Sequence, residues 1–355
     1  MKGKVFFKLS FLAFFVWTPF VFTAAANAYE VRTSSLLVEA DAGRVLLSEN
    51  ATDRRYPASL TKMMTLYMVF DALERGEIKM DQLLPVSRKA SRQPRSRMGL
   101  KEGTTISVEN AIFAMISKSA NDAAVVVAEA LAGSEEQFAD KMTRVARELG
   151  MKSTRFKNAS GLHHKDQVTT AQDMVVLSEA LIDHFPEYYK LFSVRGFRYG
   201  RRYYGNHNLV ARFYKGGDGL KTGYVDAAGY HVVGSAKRGG KRLIGVIMGR
   251  NSVRERDRHM FRLLDFGFQK LGSAQSSGNV EEAAALFAGE RHAVSPSSET
   301  EYRRIRIEAR RLSEELDGIT GIADVLSAKR RESVVKKAIV DWGQTKTRSK
   351  KSSNR

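Results

Sequence analysis

In "YPASLTKMMT", Tyr56 to Thr65, a serine stands three residues ahead of a lysine at the start of an apolar run. If Ser59 opens the helix that this run implies, Ser59 and Lys62 leave one face with Cβ atoms ~5–6 Å apart, close enough for proton transfer. An amine accepts a proton only when it is uncharged. Bringing its reference pKa of ~10.4 to about 7 takes roughly 4–5 kcal/mol of selective destabilisation of the cation. Burial and a second nearby cation are the usual sources. "DGLKTGY" offers the cation: Lys221 raises the local positive potential, Thr222 presents a hydroxyl to a carboxylate, and Gly223 lets backbone and ligand approach closely. "SKSANDAA" adds Ser119 and Asn121, a hydroxyl and an amide for proton relay and for holding a peptide carbonyl. Alone, each motif is also an ordinary helix surface, turn or N-cap. In this order and context, they match serine acyl-transfer chemistry with a lysine base.

Several elements must bring these groups together. Pro57 precedes an apolar-periodic run from Ser59 to Leu73 that stops at Gly76, which predicts a helix. Further helical runs cover about 108–117, 122–132, 135–149 and 170–184. "SSLLVEADAGRVLLSENA" predicts a hairpin turning at Asp41-Ala42-Gly43, and "GYHVVGSAKRGGKRLIGVIMG" a second around Gly239-Gly240, followed by a helix from about Glu255 to Leu271. Strands near both ends with helices between them predict an α+β fold, one antiparallel sheet fed from both termini rather than alternating βαβ units. "FRYGRRYYGNHN", Phe197 to Asn208, reads as a strand pair beside the active site or as an aromatic surface that stacks on sugars or bases.

The chain has 355 residues with 43% hydrophobic content, enough for one large domain or two smaller ones. Residues 1–28 begin with Lys2, Lys4 and Lys8, continue through an apolar stretch from Leu9 to Phe22 and close on Ala26-Asn27-Ala28, the order of a cleavable secretory signal. A retained anchor is the alternative, although the apolar stretch is shorter than the ~20 residues a span needs. Export to the periplasm or cell envelope is therefore expected. There is no cysteine, so disulfides play no part in the core. Lysine and arginine number 58 against 39 acids, a formal net charge of +19 that suits an anionic surface such as wall polymer or lipid headgroups; export argues against nucleic acid. A catalytic body over 29–271 is expected, followed at 272–355 by a basic extension of linker, helical pieces and disorder. Within it "SVVKKAIVDWGQ", with Trp342, is either a solvated helix or a peripheral contact with membrane or anionic wall polymer. His163 and His164 read as exposed loop imidazoles, since no cysteine or HExxH arrangement supports a metal site, and neither metal nor cofactor is expected.

Longer stretches are more specific than the three short motifs. Through "PASLTKMMT", "SKSANDAA", "NASGLHHKDQVTTAQDM", "DGLKTGYVDAAGY" and "VIMGRNSVRERDRHMFRLLDFGF", the chain from about Tyr29 to Leu271 resembles the serine-type D-alanyl-D-alanine carboxypeptidases, low-molecular-mass penicillin-binding proteins. The resemblance implies a penicillin-binding/β-lactamase-like transpeptidase fold, a five-stranded antiparallel sheet flanked by helices, acting on the D-Ala-D-Ala end of peptidoglycan stem peptides. It implies Ser59 as nucleophile, Lys62 as its base, Ser119 and Asn121 in proton relay and substrate positioning, and Lys221 and Thr222 near the free carboxylate. Backbone N–H groups of Ser59 and Tyr224 would form an oxyanion hole, worth ~3–4 kcal/mol per donor. By spacing, Arg256 is similar to the family's arginine near the carboxylate pocket, with Arg254 as competitor. β-Lactam antibiotics are implied as covalent inhibitors, because their tethered leaving group obstructs water.

Two departures stand out. Tyr224 occupies the place where the family often has histidine, and where many members carry a C-terminal β-rich domain ending in an amphipathic membrane anchor, the tail here reads as basic and helix-like. Three rival readings share parts of this pattern. A class A β-lactamase needs a carboxylate to activate the deacylating water; between Ser119 and Lys221, Glu148 and Glu179 both fall in helical runs. A DD-endopeptidase uses the same apparatus. A catalytically idle wall-binding protein would not need the intact set.

Overall fold

The structure, a computed structural model, describes residues 33–272. The signal at 1–28, the extension beyond Gly272 and Trp342 lie outside the described residues.

Strand β1 (Ser34–Glu39) passes through a 3-10 turn at Ala40–Ala42 into β2 (Arg44–Glu49), with Gly43 closing the turn at φ +60°, a backbone state that favours glycine. Helix α1 (Thr61–Glu74) buries residues on nearly all its sides, as a central helix must. Here the predicted start shifts: Ser59 lies in a separate 3-10 turn, Ala58–Leu60, that feeds α1. Two three-residue strands, β3 (Leu83–Pro85) and β4 (Thr105–Ser107), pair with each other and flank the short helix α2 (Arg88–Ser91). They are too short to show a period in the sequence.

The helical block continues with α3 (Val108–Phe113), which widens into a π-helical turn over Ala114–Lys118 and ends on Ser119 at φ +60°. Helices α4 (Asn121–Ala132), α5 (Glu135–Glu148) and α6 (Ala171–His184) follow, close to the predicted runs. Helix α5 shows why the pattern is legible: Phe138 and Met142 are buried one turn apart beneath a charged outer face, and Ser134 caps Gln137 N–H. A short helix, α7 (Pro186–Tyr189), then leads to the hairpin β5 (Gly196–Tyr199) and β6 (Arg202–Gly205). Helix α8 (Leu209–Phe213) returns the chain to the sheet.

Strands β7 (Gly217–Val225), β8 (Gly229–Arg238) and β9 (Lys241–Arg250) complete a five-stranded antiparallel sheet in the order β2-β1-β9-β8-β7. The sheet is fed from both ends of the described chain, as the strand order predicts. Alternate residues face two cores. Leu36, Val38, Val233, Ile244 and Val246 pack towards the helical block, while Leu37, Val232, Leu243 and Ile247 pack against Met260, Leu263 and Leu264 of helix α9 (Val253–Gly272). Both faces are thus covered, which explains the near-continuous apolar runs of β8 and β9. The paired Gly234 and Gly245 make a seat for Met260: a Cβ added at either would stand 3.0 or 2.8 Å from its sulfur. That seat fixes the first turns of α9, which carry Arg256.

Candidate active site

The nucleophile candidate sits where three backbones converge. Ala58, immediately before Ser59, holds a left-handed φ of +48°, a strained state for a non-glycine residue. Gly161 presses against this segment so closely that a Cβ there would lie 1.9 Å from the Ala58 carbonyl oxygen. Gly223 of β7 approaches from the other side, with a Cβ position 3.2 Å from the Ser59 nitrogen. The 3-10 turn is therefore clamped between a loop and an edge strand, and Ser59 is left partly exposed at the bottom of a cleft.

Lys62, on the first turn of α1, is completely buried. Its Nζ lies 3.1 Å from Ser59 Oγ, 2.8 Å from Asn121 Oδ1 and 2.5 Å from the Ser160 carbonyl oxygen. The amide and carbonyl oxygens only accept, so they take the two N–H bonds of a neutral amine and leave its lone pair facing the one partner that can donate, the Ser59 hydroxyl. The Asn121 orientation follows from its other end, where Nδ2 donates to the Pro94 carbonyl at 3.0 Å. Burial, then the Lys221 cation, hold Lys62 well below the usual lysine range, against the opposing pull of Asp122 and Glu135. Lys221 is itself almost fully buried, and burial followed by Arg256 pushes it down to about 7. The two lysines expected to work as a pair are thus coupled electrostatically.

Ser119 stands at the left-handed end of the π-helical turn, 5% exposed, and its Oγ has no hydrogen-bond partner among the described residues. Its loop is fixed by neighbours. Asn121 N–H donates to Ser96 O at 2.7 Å, Ser96 Oγ donates to Lys118 O at 2.7 Å, and the buried Asp122 carboxylate accepts from the backbone of Met98, Gly99 and Leu100 at 2.8–3.1 Å. Ser160 is presented by a second ordered loop, in which Asn158 Oδ1 accepts from Gly161 N at 2.7 Å and Glu135 Oε1 from Ala159 N at 3.1 Å.

The cleft has a volume of about 860 Å³. One wall is the sheet side, with Thr222, Gly223, Tyr224 and, from α9, Arg256; the other is the helical side, with Ser119, Asn121 and the 95–99 loop. All nine residues expected at the site are therefore brought together: seven line the cleft, while Lys62 and Lys221 lie just behind its surface. Of the two arginines, Arg256 lines the cleft, its guanidinium paired with Asp257 at 2.7 Å. Tyr224 projects outward, stacked on Tyr230 with ring centroids 4.2 Å apart, and its hydroxyl donates to Asp226 at 2.6 Å. The Phe197–Asn208 segment is a strand pair beside the site, and Arg202, Tyr204 and His207 from it line the cleft. The surrounding protein, then Lys221, Lys118, Arg256 and Arg212, hold His207 well below its ordinary 6.5.

Sequence reasoning missed the Ser160 carbonyl and Asp122. The only signal for the first is Asn158-x-x-Gly161, the signature of a side chain that caps its own turn. Glu148 and Glu179 do not line the cleft, and His163 and His164 are exposed in a loop, His163 edge-on to Tyr56.

Comparison with known proteins fits this geometry. D-alanyl-D-alanine carboxypeptidase DacF of Bacillus subtilis (strain 168) is 35% identical over 252 residues, 68% of this chain and 63% of the relative. DacA of Escherichia coli (strain K12), with the same enzyme description, is 34% identical over 270 residues, 71% of this chain and 67% of the relative. The match thus spans roughly two thirds of the length of these curated relatives. Among solved structures, penicillin binding protein 5 from Haemophilus influenzae superposes with a TM-score of 0.64 at 34% identity, covering 66% of this chain and 70% of that one. Penicillin-Binding Protein D2 from Listeria monocytogenes, solved in a cefotaxime-bound form, gives 0.62 at 32% identity, covering 68% and 99%. A family model described as D-alanyl-D-alanine carboxypeptidase matches residues 21–252, more than half of the sequence, and on that match the chain belongs to the D-alanyl-D-alanine carboxypeptidase family.

Proposed function

We propose that this chain is a serine D-alanyl-D-alanine carboxypeptidase that removes the terminal D-Ala from peptidoglycan stem peptides through an acyl-enzyme. The observation that carries the reading is the contact between Ser59 Oγ and a buried Lys62 amine whose two other partners accept only. Ser59 Oγ attacks the carbonyl carbon between the two D-alanines while its proton passes to Lys62 Nζ. The carbonyl oxygen, now negative, is held by the backbone N–H groups of Ser59 and Tyr224. Gly223 supports that role by bringing β7 beside the Ser59 amide. Ser119, with a buried hydroxyl that no neighbour uses, relays the proton to the departing amine. Asn121 holds Lys62 and the substrate amide, and Thr222, Lys221 and Arg256 receive the terminal carboxylate.

The C–N bond breaks, D-Ala leaves as a neutral amine carrying the relayed proton, and water then cleaves the Ser59 ester. A β-lactam delivers the same carbonyl and carboxylate but keeps its leaving group attached, so the ester persists. No aspartate or glutamate is among the cleft-lining residues, which favours slow deacylation over β-lactamase turnover. Export to the periplasm or envelope, with residues 1–28 as the signal, 29–271 as the catalytic domain and the basic tail against membrane or wall polymer, is part of the same reading. A fluorescent penicillin is expected to attach covalently to the wild type and not to Ser59→Ala. Digestion of a pentapeptide beside a cross-linked dimer is expected to release D-Ala from the pentapeptide; cleavage of the dimer alone would favour the endopeptidase reading.

A further inference from the structure

The carboxylate role given to Arg256 leaves most of the positive charge in the cleft unassigned. Arg95, Arg97, Lys118 and Arg202 also line it, and no acidic side chain does. Lys118 sits beside the relay serine, but the three arginines are exposed to the cleft, and none forms an ion pair with a carboxylate among the described residues. All three stand on the helical side: Arg95 and Arg97 in the loop that Asp122 and Asn121 tie down, Arg202 on β6. Arg256 and Thr222 lie across the cleft on the sheet side.

Two features make these arginines more than a solvated rim. The loop carrying Arg95 and Arg97 has its backbone anchored at Ser96, Met98, Gly99 and Leu100, so little backbone freedom is lost when it binds. The Arg202 guanidinium lies 5.1 Å from the Tyr204 ring centroid, a stacked bed that presents its donors to the cleft. Arg97 spends one N–H on the Gln93 carbonyl at 2.8 Å, which fixes the side chain and leaves its other donors open.

From this we infer that Arg95, Arg97 and Arg202 form a subsite for a free carboxylate on the acyl side of the scissile bond. The preferred substrate then carries negative charge at both ends of its bound stretch, and amidation of the upstream acid weakens it. The inference rests on the carboxypeptidase reading and names the substrate class of the same site. Each partly exposed charge pair is worth up to about fivefold, so two arginines together set a preference of about tenfold.

Two N-acetylated tetrapeptides of equal size test this, both ending in acetyl-lysyl-D-alanyl-D-alanine, one beginning with glutamate and the other with glutamine. The wild type is expected to release D-Ala from the glutamyl peptide with a kcat/KM about tenfold higher, and moderate salt should shrink the gap. In the double variant R97Q/R202Q, which leaves Arg95 as the one arginine of the subsite, the ratio should fall to about twofold. Because both peptides report on the same Ser59 cluster in each protein, the ratio is insensitive to a partial folding loss. A wild-type ratio near one, or a tenfold ratio that survives in the double variant, overturns the subsite while leaving the carboxypeptidase reading intact. Release of D-Ala from neither peptide overturns both.

Discussion

At the residue scale, the proposed acyl transfer turns on the protonation state of one amine. Among the described residues Lys62 touches no carboxylate: its contacts are a hydroxyl, an amide oxygen and a carbonyl oxygen, and the strongest charge acting on it is the Lys221 cation. A buried cation there is costly, which favours the free base that the proposed role requires. Replacing it with an uncharged side chain of similar length, Lys62→Met, is expected to slow acylation by a labelled penicillin by about 10²–10⁴-fold, the range for losing a positioned base. The check is a stopped-flow or gel time course at fixed pH, with thermal melting to show that the variant folds.

At the element scale, the site is a meeting of backbones rather than of side chains. Gly161 is needed twice over, for its φ of +85° and for the 1.9 Å that a Cβ would leave to the Ala58 carbonyl. Gly161→Ala is therefore expected to push the Ala58–Leu60 turn off its position and lower kcat/KM by at least tenfold, more than the loss of about 1 kcal/mol in stability that the left-handed backbone alone would cause. Comparing the kinetic loss with the change in unfolding free energy checks it.

The same contrast explains what the sequence could disclose. Ser59 and Lys62 are legible because their relation is local, one turn of chain. The π-helical turn before Ser119 and its left-handed backbone carry no glycine to announce them. The Ser160 carbonyl reaches Lys62 across 98 residues, and a backbone oxygen has no residue type to read. Asp122 looked like an ordinary first-turn acid, yet it fixes a loop more than twenty residues upstream. The antiparallel sheet was legible because its two hairpins bracket the helices, while its count of five came from the family resemblance; β3 and β4 were not legible, at three residues each.

At the scale of the whole molecule, the fold stores pH sensitivity in a buried histidine away from the cleft. His231 on β8 is wholly buried, with Nδ1 accepting from Gly249 N at 3.0 Å and Nε2 against the Tyr56 carbonyl at 3.0 Å. An accepting Nδ1 makes Nε2–H the donor, so the neutral ring ties β9 to the segment that leads into Ser59. Burial depresses His231 from 6.5 to about 4. The folded state therefore binds fewer protons than the unfolded chain between those values. The stabilisation is complete above pH 6.5 and is lost as pH falls towards 4, about 3 kcal/mol over the window. Urea unfolding of the wild type at pH 7 and pH 4.5 should show a loss to which His231 contributes about 2 kcal/mol and His207 and His259, also held below 6.5, add; His231→Gln, which cannot titrate, should show a clearly smaller one.

Acylation by a labelled penicillin, followed as a second-order rate from pH 5 to 10.5 in the wild type and in Lys221→Gln, tests the neutral-lysine account most directly. The rate in the wild type should rise and level off well below the ordinary lysine value of 10.5, since burial and the Lys221 cation hold Lys62 down. Removing the Lys221 charge should move that rise to higher pH, because one of the two influences that depress Lys62 is gone. A wild-type rate that climbs without levelling to pH 10.5, or a profile with the same midpoint in both proteins, would contradict it.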